Sequence, residues 1–227
     1  MSLIPWYRPR PEPLLVVAPH PDDETIGCGG LLSLHSALGG EATVLFLTCS
    51  EPRRRREAEA ALSRLAVKSA SELNLPEGRV QSTDESREAV EGLLLKVRPK
   101  TIMLPSTGDP HPDHRSSHTL VSEALLITGS PHTEILLYEG FTPLGNANTW
   151  LDITAVADQK WAALGCYESQ QERYRIVDVA RNLNAFRGLT TMRPHVHYAE
   201  AFLRVTLSEY LHDRAGVALL GVTPGRR

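Results

Sequence analysis

Runs of continuously apolar residues alternate along this chain with stretches whose apolar positions recur every three or four residues. Leu14 to Ala18 is such a run, the pattern of a strand covered on both faces rather than on one. Leu31, Leu34 and Leu38 then share one side of a helix over about 29–38, and Gly39 with Gly40 stops it. Ala42 to Thr48 predicts a second buried strand, and Glu57 to about Ser71 a helix with Ala58, Ala61, Leu62 and Leu65 inward. Another helix spans Glu85 to Val97, closed by Pro99, and Thr101 to Leu104 is a third strand. The three prolines and the glycine of Pro105 to His114 demand a loop. A helix over Arg115 to Leu126 and a strand over Glu134 to Glu139 follow. Beyond Gly140 the pattern weakens to a short strand at 148–153, helices at 155–165 and 171–186, and an extended segment or last strand at 197–205.

Strands and helices of these lengths in alternation predict one α/β domain, a Rossmann-like, mostly parallel sheet with helices on both faces. Residues 1–13 read as an irregular N-terminal arm and 14–227 as the domain, which is long enough to bury a continuous core. Hydrophobic content of 41% with 22% charged residues excludes disordered and fibrous classes. A net charge of -3 gives no general attraction for nucleic acid. The one basic run, Arg53 to Arg56, is followed by Glu57 and Glu59 and reads as a solvated helix start. Cys28, Cys49 and Cys166 are odd in number and widely spaced, which suits a reducing cytoplasm better than a disulfide framework. No apolar run approaches the ~18 residues of a membrane helix, so the expected setting is cytoplasmic, without a membrane partner.

Two clusters break this ordinary picture, and both stand after predicted strands, where open α/β sheets collect ligands. His20-Pro21-Asp22-Asp23-Glu24 follows the first strand, and His111-Pro112-Asp113-His114 follows the third. A turn with Asp22 or Asp23 capping the next helix would explain the first cluster alone. Two His and an Asp within four residues at an equivalent strand end are hard to explain that way. Zinc in hydrolases is commonly held by three N/O ligands with a fourth position for water. His20 and Asp23 can converge from one turn while one His of the second loop completes the set, leaving Asp22 to act on the water.

"PHPDDETIGCGG" with the downstream "HPDH" resembles the signature of the PIG-L/LmbE family of zinc-dependent N-acetylglucosaminyl deacetylases. "LFLTCSEPRRRREAEAAL", "LYEG", "DITAVADQKWAALGCYESQ" and "YAEAF" resemble its later segments, so the likeness covers most of residues 14–202. The resemblance implies a Zn2+ held by His20, Asp23 and His114, with Asp22 as catalytic base. It implies that His111 acts near the scissile carbonyl as acid or oxyanion stabiliser, with Asp113 orienting and charging it. Iron(II) accepts the same two-His, one-carboxylate set. The implied reaction releases acetate and a free amine from an N-acetylglucosamine-type sugar or its conjugate, a small-molecule partner; a homo-oligomer is left open. Hydrolysis of another amide, in a thiol conjugate or an acylated antibiotic, is an alternative, and a non-catalytic carbohydrate-binding protein is another. Pro19 and Cys49 depart from the family's usual alanine and glycine, and the second change bears on substrate size.

The run Arg53 to Arg56 is the candidate for reading substrate, since guanidinium binds carboxylate or phosphate in bidentate fashion; the spacing does not select which of the four points inward, and Arg53, Arg56 and Glu24 are put forward. His118, four residues past His114, has no helical Glu partner and reads as an ordinary helix residue. Gly27, Gly29 and Gly30 suggest close backbone approach at the metal loop rather than a phosphate cradle, because the preceding acids would repel phosphate. Lys160, Tyr167, Ser169 and Gln170 are placed at the cleft by the family likeness, whereas His195 and His197 fit cleft or surface equally.

Overall fold

The computed structural model describes residues 5–129 and 133–212; His132 and the closing 223–227 lie outside them. The chain runs β1 (Leu14–Ala18), α1 (Asp23–Ala37), β2 (Ala42–Phe46), α2 (Pro52–Arg64), β3 (Ser69–Glu72), α3 (Asp84–Val97), β4 (Thr101–Pro105) and α4 (Pro112–Thr128). It continues with β5 (Glu134–Tyr138), β6 (Thr149–Asp152), α5 (Ala157–Leu164), α6 (Glu168–Tyr174), α7 (Ile176–Thr190), β7 (Ala199–Thr206) and α8 (Leu207–His212). Among the described residues these strands form one sheet in the order β3-β2-β1-β4-β5-β7-β6. The pairs from β3 to β5 are parallel, and β7 runs antiparallel to both β5 and β6. Strand order reverses between β1 and β4, the place where such sheets open a crevice.

Side chains alternate between the two faces of a strand, and both faces of the sheet are covered, which explains why β1 is apolar at every position. Leu14, Val16 and Ala18 face a core shared with α1, α2, α5 and α7, whereas Leu15 and Val17 face one shared with α3, α4 and α8. Apolar periodicity does not reveal β3. Its residues, Ser69-Ala70-Ser71-Glu72, carry no large apolar side chain, which fits a strand that lies at the sheet edge and pairs with β2 alone. Boundaries also differ from the expected ones. α1 begins at Asp23, α2 begins at Pro52 and takes in the Arg run, and a left-handed Arg175 (φ 51°) separates α6 from α7.

The arm is less irregular than its sequence suggests. Trp6 bridges Trp150, with Tyr7 N donating to Trp150 O at 2.8 Å, and the Tyr7 hydroxyl reaches Glu134 Oε1 at 3.1 Å. No helix of the described residues is long and apolar enough to cross a membrane.

Candidate active site

The charged turn is pinned to the neighbouring strand before it enters α1. The Pro19 carbonyl accepts from Thr48 N at 3.0 Å and from Thr48 Oγ1 at 2.7 Å. Asp22 then takes φ 124°, a backbone conformation that L-residues seldom adopt and that costs of order 1–3 kcal/mol. Its side chain makes no capping bond to α1, so the plain helix-cap explanation fails for it. Asp23 turns its Oδ2 back onto His20 N at 2.9 Å.

From the other side of the crevice, α4 presents His111 and His114. Pro112 occupies the first turn, where its missing N–H is harmless, and His111 caps the helix by accepting Asp113 N on Nδ1 at 3.2 Å. That acceptor role assigns the ring's proton to Nε2.

These placements bring three predicted ligands together. Asp23 Oδ2 lies 3.3 Å from His20 Nδ1 and 3.2 Å from His114 Nε2. Donors at about 2.0–2.1 Å from a tetrahedral zinc stand about 3.3 Å apart, so the set fits such an ion. His111 also brings a nitrogen within 4.8 Å of nitrogens on His20 and His114, which makes it a neighbour of the same site. Each of these two His is backed by a carboxylate on its far nitrogen: Asp113 Oδ2 at 2.9 Å from His20 Nε2, and Asp109 Oδ2 at 3.3 Å from His114 Nδ1. Such partners fix ring orientation and raise ligand basicity.

The electrostatics follow from this packing. Burial opposes charge on both imidazoles, but the adjacent carboxylates prevail, raising His20 to about 9 and His114 to about 10. Burial likewise opposes charge on Asp23, yet His114 and His20 hold its carboxylate far below the usual range. Asp22 goes the other way. Burial and the neighbouring Asp23 push its carboxyl well up, with Arg54 partly opposing them.

Several expected roles need correction. The Asp113 carboxylate does not lie on the His111 ring; it accepts from Gly78 N at 2.7 Å, Val80 N at 3.0 Å and His20 Nε2. His111 is not charged by it either: burial and the nearby His20 and His114 lower its pKa. Glu24 is fully buried, accepting from Tyr167 OH at 2.5 Å, from Asp22 N at 3.1 Å and from Thr25 Oγ1, so it supports the turn instead of meeting substrate. Arg53 pairs with Glu57 and Glu172, tying α2 to α6, and Arg56 is exposed. Of the Arg run it is Arg54 that enters the site, with Nη2 on the Pro21 carbonyl and 3.6 Å from Asp22 Oδ2.

The glycines allow close approach, but to the core. A Cβ on Gly27 would stand 2.2 Å from the Tyr138 ring, and one on Gly30 2.4 Å from Ile153. Lys160 is buried 2.7 Å from Glu200 rather than lining a cleft, and Ser169 donates from N and Oγ to the Glu57 carboxylate. His118 is structural, bonded to Tyr210 OH and to the Pro105 carbonyl, each at 3.0 Å. His195 and His197 are exposed beyond α7. Asp109 is the participant that motif and spacing did not single out, and Arg54 is a member of the candidate Arg run that was not put forward by itself. Asp109 stands two residues before His111 in the Pro105 to His114 loop, a further acid whose spacing was the available signal.

A family model described as GlcNAc-PI de-N-acetylase, PIG-L, matches residues 15–125. A diacetylchitobiose deacetylase of Thermococcus kodakarensis is 27% identical over 69% of this chain and 69% of its own length. A 4-oxalmesaconate hydratase of Pseudomonas putida is 27% identical over 85% of this chain and 90% of its own. Among solved structures, a conserved protein of Thermus thermophilus superposes with a TM-score of 0.75 at 29% identity, covering 85% of this chain and 94% of that one.

Proposed function

Because the chain belongs to the PIG-L family of deacetylases, we propose that it hydrolyses the N-acetyl group of an N-acetylglucosamine-type sugar or its conjugate. The observation that carries this reading is the meeting of His20, Asp23 and His114 beside a buried, strained Asp22. His20, Asp23 and His114 are the residues that would hold a zinc ion, and the ion supplies Lewis acidity toward water and a carbonyl oxygen. Asp22, whose carboxyl is pushed well above the usual carboxylate range, takes the proton from the attacking water. Water's oxygen joins the acetyl carbon, the carbon–nitrogen bond breaks, and the proton passes to the departing amine. Neutral His111 directs its Nε2–H at the developing oxyanion. Arg54 opposes the rise of Asp22 and steadies the Pro21 carbonyl of the turn.

Purified protein is expected to hold about one zinc per chain and to release acetate from a GlcNAc glycoside. Asp22→Asn should keep the metal and lose about a hundredfold or more in kcat, the usual scale of general base catalysis. A metal-loaded Asp22→Asn protein with full activity would overturn the role of Asp22.

A second reading rests on the Pseudomonas putida relative, whose match spans more of this chain than that of the Thermococcus deacetylase. Water activated by the same residues could add to a carbon–carbon double bond. Loss of 4-oxalmesaconate absorbance on incubation, with no acetate released from any amino sugar, would favour it.

A further inference from the structure

Two aromatic rings meet in the open at the carboxyl end of the sheet, and neither takes part in the metal site. Phe141 is 47% exposed and Tyr174 is 44% exposed, with ring centroids 6.0 Å apart at 65°. They come from opposite walls. Phe141 follows Gly140, where a Cβ would stand 3.3 Å from the Asp109 Oδ2 that backs His114. Tyr174 ends α6, and that helix starts one residue after Tyr167, whose hydroxyl holds Glu24 beneath the charged turn. Seven helical residues span about 10 Å, which carries Tyr174 outward from the turn to meet Phe141.

The loop bearing Phe141 is held in place. Glu139 accepts from Leu144 N at 2.7 Å and from Arg187 Nε at 3.1 Å, and Arg187 Nη2 donates to the Leu144 carbonyl at 2.6 Å, which closes the loop bearing Phe141. The Arg173 guanidinium lies 4.9 Å from the Tyr174 ring centre. Half-exposed aromatic surface beside a polar reaction centre suits a ligand that is polar at one end and carries C–H faces at the other.

We propose that Phe141 and Tyr174 form the subsite for the group attached to the hexosamine, gripping the C–H face of a second sugar ring. The proposal rests on the deacetylase reading above and adds the preference it implies, for a glycoside over the free amino sugar.

The test compares acetate release from N-acetylglucosamine and from N,N'-diacetylchitobiose by the wild type, Phe141→Ala, Tyr174→Ala and Tyr174→Phe, each loaded with zinc. Each alanine variant is expected to raise KM for the disaccharide about tenfold, the scale of one lost ring contact, with a several-fold smaller effect on the monosaccharide. Tyr174→Phe should stay close to wild type. Equal losses on both substrates, no loss on either, or a wild type acting on the monosaccharide alone overturns the subsite and leaves the deacetylase reading standing. A zinc-loaded wild type that releases acetate from neither sugar overturns both.

Discussion

His118 and Asp113 illustrate how far a side chain's role depends on what its far atom touches. The Pro105 carbonyl can only accept, so His118 donates from Nε2 and accepts Tyr210 OH on Nδ1, a neutral ring. Burial accordingly lowers its pKa to about 4. An unfolded histidine near 6.5 binds a proton that the folded one refuses, so this contribution to stability is complete above pH 6.5 and is lost as pH falls toward 4. The loss amounts to about 3 kcal/mol, and His118→Gln should flatten the fall in urea-unfolding free energy over that window. For Asp113, the bonds to His20, Gly78 and Val80 fix the orientation of the His20 ring, which is proposed as a metal ligand. Asp113→Asn is expected to weaken zinc binding about ten- to a hundredfold, read by chelator competition. The motif disclosed that an acid stood here. Its partner across 93 residues of sequence was set by how α4 meets the turn after β1.

α1 shows the same division for a whole helix. Its glycines let it press on Tyr138, Ile153 and Lys160, and Glu200 accepts from Gly30 N at 2.7 Å and Leu31 N at 2.9 Å inside it. Lys160 neutralises that carboxylate, both groups being buried. Lys160→Met leaves a buried charge unpaired and should cost about 3–5 kcal/mol in denaturant unfolding, with Glu200→Gln in the same chain restoring part of it. This packing matters for the proposed chemistry because α1 starts at Asp23, so the seat of the helix sets where that carboxylate stands. Apolar periodicity revealed only the later part of α1, since its first turn, Asp23-Glu24-Thr25, buries polar groups that carry no hydrophobic signal. The same lack hid β3 and merged it with the preceding helix.

Across the molecule, the site bridges two halves of the sheet. β1 supplies the turn with His20 and Asp23, β4 leads to His114, and β2 and β5 extend the sheet outward on either side. An ion binding both halves only when folded stabilises by mass action, about 2.7 kcal/mol at a hundredfold excess over Kd. For a domain of this size, zinc should raise the melting temperature by about 5–10 °C in a concentration-dependent way. EDTA should abolish the shift, as should His114→Ala, measured by differential scanning fluorimetry.

Local physics was enough to read much of this protein from its residues. Continuous apolar runs require a sheet buried on both faces, and charge at the end of such runs requires a partner, so the class of fold and the seven acids and imidazoles of the two clusters were legible. The meeting of His20, Asp23 and His114 was expected, but the partners of the remaining groups were not legible, because side-chain direction depends on how helices seat against the sheet. Folding selected Arg54 over Arg53 and Arg56, assigned Asp113 to His20, recruited Asp109, and buried Glu24. It also brought Phe141 and Tyr174 together from distant segments. Each outcome turns on ångström-level distances between elements far apart in sequence, to which composition and spacing are blind.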